Sequence, residues 1–184
     1  MIMCLDLLIF LALQKWLVKA LALTLENKTK VPFTREKGHT YLDIVIVCEG
    51  STEKDIITFI YDTGAYLTVI NKDIYEWFNL NKLPRKKIMI GGYSGNASGY
   101  LFQIPGLMIG NKLLTGVWSF TPESKDIKQN ILGDNVIEYF RTFQDNLNDC
   151  IYFIENPNPE PYISPDGAFS FACDGVFPID EIES

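Results

Sequence analysis

The chain has 184 residues, 47% of them apolar and 13% aromatic, with 13 Gly and 9 Pro. That is enough for one globular domain with a sizeable core, and too little for two. The 16 Lys and Arg against 23 Asp and Glu leave a net charge of -7, which argues against nucleic acid or an anionic membrane surface as the main partner; collagen, coiled coil and wholesale disorder are excluded by the same composition.

Charge divides the chain into three parts. Residues 1–38 carry an excess of basic side chains, residues 39–155 are mildly acidic, and residues 156–184 hold acidic side chains with no basic one. The division predicts a central domain over residues 39–155, preceded by an apolar helix with a basic linker and followed by a proline-containing acidic tail. The four cysteines, Cys4, Cys48, Cys150 and Cys173, show no C-x-x-C spacing, and the single His39 cannot complete a zinc set. No metal or other cofactor is expected, and a reduced cytosol is the default compartment.

Residues 1–24 are strongly apolar but interrupted by Asp6, Gln14, Lys15 and Lys19, and the longest unbroken run is too short to span a bilayer. Three readings stay open: an amphipathic or packing helix, a secretory signal or membrane anchor with Ala20-Leu21-Ala22 as a cleavage site, and an upstream extension of the reading frame. The second would make the protein membrane-anchored or secreted. It would also give meaning to the sequons Asn27-Lys28-Thr29 and Asn96-Ala97-Ser98.

From His39 the pattern predicts strands. Tyr41 to Cys48 and Ile56 to Tyr61 flank the turn-forming Glu49 to Lys54 as a hairpin. Asp62-Thr63-Gly64-Ala65 ends it abruptly, Leu67 to Ile70 is extended again, and Asn71 opens a short helix through Ile74, Trp77 and Phe78. Lys82 to Lys87 is predicted to be a solvated basic loop. Ile88 to Ile90, the glycine-rich Gly91 to Gly99 and Tyr100 to Ile104 form a second hairpin. Leu107 to Ile109 and Leu113 to Phe120 make a further strand pair around Gly110-Asn111-Lys112; Ile131-Leu132 is a short strand, Asp134 to Phe143 has helical spacing, and Cys150 to Ile154 closes the domain. In the tail, Tyr162, Phe169, Phe171 and Phe177 suggest packing at intervals. Trp16, Trp77 and Trp118 are expected as core anchors.

One carboxylate stands out. Asp62 directly follows an apolar strand and precedes a hydroxyl and a glycine, a placement that favours burial and backbone N–H bonds to the carboxylate. An Asx turn capping the strand explains the same tripeptide. The wider context points further: Asp62-Thr63-Gly64-Ala65-Tyr66-Leu67-Thr68-Val69-Ile70, then the glycine-rich hairpin, then Ile131-Leu132-Gly133-Asp134 before a helix. In order and spacing this resembles the single-domain, retropepsin-like aspartic proteases over residues 39–155.

The resemblance implies a mainly β fold, a closed acid-protease barrel with one or two short helices, and an endopeptidase acting on extended polypeptide. Asp62 would be catalytic, supported by Thr63, Gly64 and Ala65. Gly91, Gly92, Tyr93, Ser94 and Gly95 would form a flap over the substrate, and Ile131, Leu132 and Gly133 would pack beside the catalytic loop. Such chemistry needs two carboxylates sharing one proton, and this chain has a single D-T-G. A homodimer follows, with Asp62 of each copy meeting at a two-fold axis. Two residues depart from the family pattern: Asp134, where many members have Arg, and the bulky Tyr66. A protease-like dimerisation or peptide-binding module that no longer cuts is the alternative. Arg85-Lys86-Lys87 is read as a solvated face, and His39 as structural or exposed.

Overall fold

The computed structural model describes residues 28–48, 55–92 and 95–160, together with the backbone of 162–163, 170–171 and 175–178. Strands β1 (Lys28–Glu36), β2 (His39–Val47), β3 (Asp55–Tyr61) and β4 (Thr68–Val69) lead into helix α1 (Lys72–Trp77). After a single 3-10 turn come β5 (Arg85–Gly92), β6 (Gly95–Ile109), β7 (Lys112–Pro122), β8 (Ile131–Leu132), α2 (Asp134–Ile137), β9 (Phe140–Asp145) and β10 (Cys150–Glu155). Three short strands follow in the tail: β11 (Tyr162–Ile163), β12 (Ser170–Phe171) and β13 (Gly175–Pro178).

Six strands close on themselves. In the order β2, β3, β8, β4, β7 and β6 each is bonded to the next, and β6 returns to β2 through Val45↔Met108 and Ile46↔Leu107. Most pairings are antiparallel; β3 with β8 and β4 with β7 are parallel. Closure removes free edges from the barrel. Outside it, β5 extends β6, and β1, β10 and β9 extend β2 in that order. The mainly β, closed-barrel fold expected from the sequence is therefore present, with two short helices among the described residues.

Period-2 alternation builds the core. Leu42, Ile44 and Ile46 of β2 are fully buried, as are Phe102, Ile104 and Leu107 of β6, and they share one cluster with Phe59, Ile70, Tyr75, Leu132 and Phe153. Helix α1 is capped by Asn71, whose side chain accepts from the Ile74 N–H at 2.9 Å. A smaller cluster of Leu67, Val69, Leu101 and Phe120 lies apart from the main one.

Four expectations are corrected. The basic linker is, from Lys28 on, strand β1, paired with β10 and β2; Thr29, Val31 and Phe33 are buried in alternation with the less buried Lys28, Lys30 and Pro32, a period that the net charge concealed. Arg85 to Lys87 belong to strand β5 rather than to a loop. They are exposed charges of the kind that edge strands carry. The helix beginning at Asp134 ends at Ile137, and Phe140 starts strand β9, buried against Phe153 at 5.3 Å between ring centroids. Trp77 is 61% exposed while Tyr75 is fully buried, because residues two apart on a helix face different ways and α1 is too short to bury more than one stripe.

Residues 1–24, the turn 49–54 and most of the acidic tail lie outside the described residues, as does Trp16; Trp118 is half-buried. Of the tail, β13 runs antiparallel to β7 with Gly175↔Thr115 and Pro178↔Lys112. Among the described residues no helix is long and apolar enough to cross a membrane.

Candidate active site

Asp62 emerges where two parallel strands end together. Ile60 pairs with Ile131 and Tyr61 with Leu132, and the Asp62 N–H donates to the Leu132 carbonyl at 3.2 Å. The chain then turns tightly. The Gly64 N–H donates to Asp62 Oδ1 at 2.9 Å, and the Ala65 N–H donates to the Asp62 carbonyl at 3.3 Å. The Asx turn anticipated as a competing explanation is thus real, and it fixes the carboxylate: one oxygen is engaged by the loop itself. Asp62 is half-buried, with Thr63 and Gly64 exposed beside it.

The loop is tied from the other side by the start of α2. The Asp134 N–H donates to the Ala65 carbonyl at 2.7 Å, and the Asn135 N–H to the Tyr66 carbonyl at 3.2 Å. Gly133 makes this approach possible. A Cβ there would stand 2.4 Å from the Leu67 carbonyl carbon and 2.7 Å from the Thr68 nitrogen, both rigid backbone atoms. The expected association of Ile131, Leu132 and Gly133 with the Asp62 loop is therefore direct backbone contact.

Two positioning residues were not singled out from the sequence. Asn135, 2% exposed, accepts through Oδ1 from the Thr68 N–H at 2.8 Å and from its hydroxyl at 3.1 Å, and donates through Nδ2 to the Trp118 carbonyl at 2.8 Å. The Thr68 hydroxyl in turn accepts from the Gly133 N–H at 3.2 Å. Every polar atom of this buried set is used, the condition under which such networks rigidify. A second brace sits upstream, where the Ile60 N–H donates to the Asn130 carbonyl at 2.8 Å and Asn130 Oδ1 accepts the Asn71 N–H at 2.9 Å.

Burial without a cation shapes the local charge. Asp134 stands where the resemblance leads one to expect Arg, and burial pushes its carboxyl above the ordinary range; among the described residues no ion pair reaches it. Glu138, one turn on, is pushed up by burial and then by the charges of Asp134 and Glu160. The Tyr61 phenol is pushed up mainly by burial, against a hydrogen bond with Thr142 at 2.9 Å.

The glycine-rich hairpin stands over the smaller apolar cluster. Its strands pair through Ile90↔Ala97, Gly91↔Asn96 and Gly92↔Gly95; Tyr93 and Ser94, expected in the flap, lie outside the described residues. Ile88, Ile90 and Ala97 pack on Leu67, Val69, Leu101 and Phe120, together with Ile131. The hairpin, the segment 67–69 that follows the Asp62 loop, and β8 thus share one set of apolar contacts. At the hairpin root, Gly99 has no room for a side chain, since a Cβ would stand 2.1 Å from the Thr121 carbonyl oxygen. Glu123 ties the root by an ion pair to Lys87 at 2.8 Å and a bond from the Tyr100 hydroxyl at 3.1 Å.

Among the described residues no three His, Cys, Asp or Glu side chains gather as a metal site would require. What the arrangement offers is a half-buried carboxylate held by its own loop, with an apolar cluster nearby in the chain that is covered by the glycine-rich hairpin.

No protein-family model and no curated protein matches the chain. Among solved structures it is similar to a retropepsin-like aspartic protease from Rickettsia conorii, with a TM-score of 0.51 and 19% identity over 68% of this chain and 98% of that chain. Closed barrel, glycine-rich hairpin and braced Asp62 loop therefore belong to a chain with the retropepsin-like fold.

Proposed function

We propose that the protein is an aspartic endopeptidase, assembled as a homodimer, that hydrolyses peptide bonds in extended polypeptides. The observation that carries the reading is the Asp62 loop: a carboxylate held by Gly64 at the meeting of two parallel strands, on the fold of an aspartic protease. One such carboxylate is half a site. Two copies related by a two-fold axis would bring the Asp62 side chains together, and their mutual repulsion would keep one proton on the pair. The ionised member takes a proton from a water held between them, and the protonated member donates to the carbonyl oxygen as the water oxygen attacks. Collapse of the tetrahedral species returns a proton to the departing amine.

The remaining residues support that chemistry. Thr63, exposed beside Asp62, would bond across the axis and hold both loops rigid, while Gly64 leaves backbone accessible to substrate. Residues 91–95 would close over the peptide, which lies as an added strand recognised by main-chain bonds and apolar side chains. Ile131, half-buried at the border of the smaller apolar cluster, would favour an apolar residue next to the scissile bond.

Purified protein and Asp62→Asn, assayed on a peptide library between about pH 4 and 7, test the reading. Wild type should cleave and the variant should lose roughly 10^3-fold in rate. Equal cleavage by both would reject the assignment. Peptide binding without cleavage by either would favour the non-catalytic module.

A further inference from the structure

The sheet outside the barrel carries a basic and aromatic outer face. β1, β10 and β9 lie side by side, and residues opposed across antiparallel strands point the same way. One row reads Lys28, Ile154, Arg141, and the next reads Lys30, Tyr152, Phe143. Val31 and Phe153, at the alternate positions, are buried in the main core cluster, so these two rows look away from the core. Phe143 is 63% exposed and stacks on Tyr152 at 6.3 Å, and the Lys28 ammonium lies 4.6 Å from the Tyr152 ring centre. Among the described residues none of the three cations has an ion-pair partner. Asp145, in the row beyond, is held by its own turn, accepting from Asn148 Nδ2 at 2.7 Å and from the Leu147 N–H at 3.0 Å.

We infer that this face is where the protein meets a membrane of anionic phospholipid. Three cations around two rings and an isoleucine match such a surface, since the cations meet headgroup phosphates and the amphipathic Tyr152 ring settles at headgroup level. The order of the chain favours a bilayer over any other anionic partner. Only three residues part the apolar stretch 1–24 from Lys28, so a membrane that takes up that stretch has β1 delivered to it. An apolar stretch whose unbroken run is too short to span holds weakly alone, and a basic patch is the second signal that makes attachment stable.

The net charge of -7 conceals this face without opposing it. Residues 156–184 hold six of the acidic side chains, and at physiological salt a surface charge is felt over only about 8 Å. The orientation also suits a working domain. Thr142, on the inner side of β9, is bonded to the Tyr61 hydroxyl at 2.9 Å. The strand that leads to Asp62 therefore lies behind the sheet, on the side away from the bilayer.

The test is flotation of the full chain with vesicles of phosphatidylcholine alone and of phosphatidylcholine with about one-third phosphatidylserine. Wild type should bind the mixed vesicles about tenfold more tightly, a preference that shrinks as salt rises. Lys30→Glu with Arg141→Glu, both at exposed sites, should remove the preference and leave binding to neutral vesicles and the far-ultraviolet spectrum unchanged. Lys82→Glu with Lys86→Glu, which makes the same change of net charge at exposed sites on and beside β5, should keep it. A wild type with no preference overturns the inference. So does equal loss in both double variants, which would reduce the effect to net charge. Salt-dependent binding of an oligouridylate that vanishes with Lys30 and Arg141, without any vesicle preference, would assign the face to single-stranded RNA and overturn the lipid reading. The Asp62→Asn cleavage assay is independent of all these outcomes.

Discussion

The side-chain oxygen of Asn135 accepts both the N–H and the hydroxyl of Thr68, 67 residues earlier in the chain. Removing it by Asn135→Ala strands two buried donors and the Trp118 carbonyl. The expected cost is about 3 kcal/mol, read as a shift in urea midpoint with unchanged slope. Asn135→Asp keeps the acceptor and loses the donor to Trp118, so it should fall between Ala and wild type.

Gly133→Ala should be worse than its single methyl suggests. The added carbon would overlap Leu67 and Thr68 backbone, which cannot rotate away as a side chain would. A loss of about 3 kcal/mol or more is expected; thermal unfolding measures it. Gly64→Ala, whose Cβ would meet only the Asp62 carboxylate at 3.3 Å, should fold and lose activity instead, because its added methyl presses on the acid.

Asp134 sets a pH dependence of definite sign. Burial raises its folded-state pKa above the unfolded value, so the folded state binds the proton more tightly. The stabilisation is complete below the unfolded pKa and is lost as pH rises through the folded one. Asp134→Asn removes that loss: its melting temperature should exceed wild type at pH 7, and the difference should vanish near pH 3. Asp73 and Glu123, held low chiefly by bonds from Lys128 and Lys87 respectively, act oppositely, their contribution being lost as pH falls through their folded values. A wild-type and Asp134→Asn pair measured across that range separates the two.

Two neighbouring aromatics of α1 should respond very differently to truncation. Tyr75 is fully buried, edge-on to Phe102 at 4.9 Å, and its hydroxyl accepts from Arg85 at 3.2 Å. Tyr75→Ala should cost about 3 to 5 kcal/mol. Trp77→Ala should change stability by less than about 0.5 kcal/mol, and its exposed indole should be readily quenched by iodide.

Much of this was legible because it is local. The β2–β3 hairpin, Asn71 as a helix cap and the glycine-rich hairpin each follow from alternation or turn chemistry within a dozen residues. The Asp62 loop could be recognised from its own residues and those of β8. What escaped the sequence depends on distant partners. Trp77 and Tyr75 share a helix and a chemistry, and only the face that Phe102 covers decides between them. Asn135 reads as an ordinary polar residue until Thr68 and Trp118 are brought to it. Lys28 to Glu36 looked like a linker because its charges were counted together, whereas successive residues face opposite sides of β1 and bury Thr29, Val31 and Phe33. Phe140 fitted the helical spacing begun at Val136, and its pairing opposite Glu155 makes it a strand residue instead.

The brace between Thr68 and Asn135 has a temporal side. A contact spanning 67 residues forms late relative to the local hairpins, since a long loop must close first. A ribosome-bound chain ending before Asn135 therefore displays Asp62 without the clamp that orients it. The loop acquires its fixed geometry only once β8 and α2 have been made and have closed onto it.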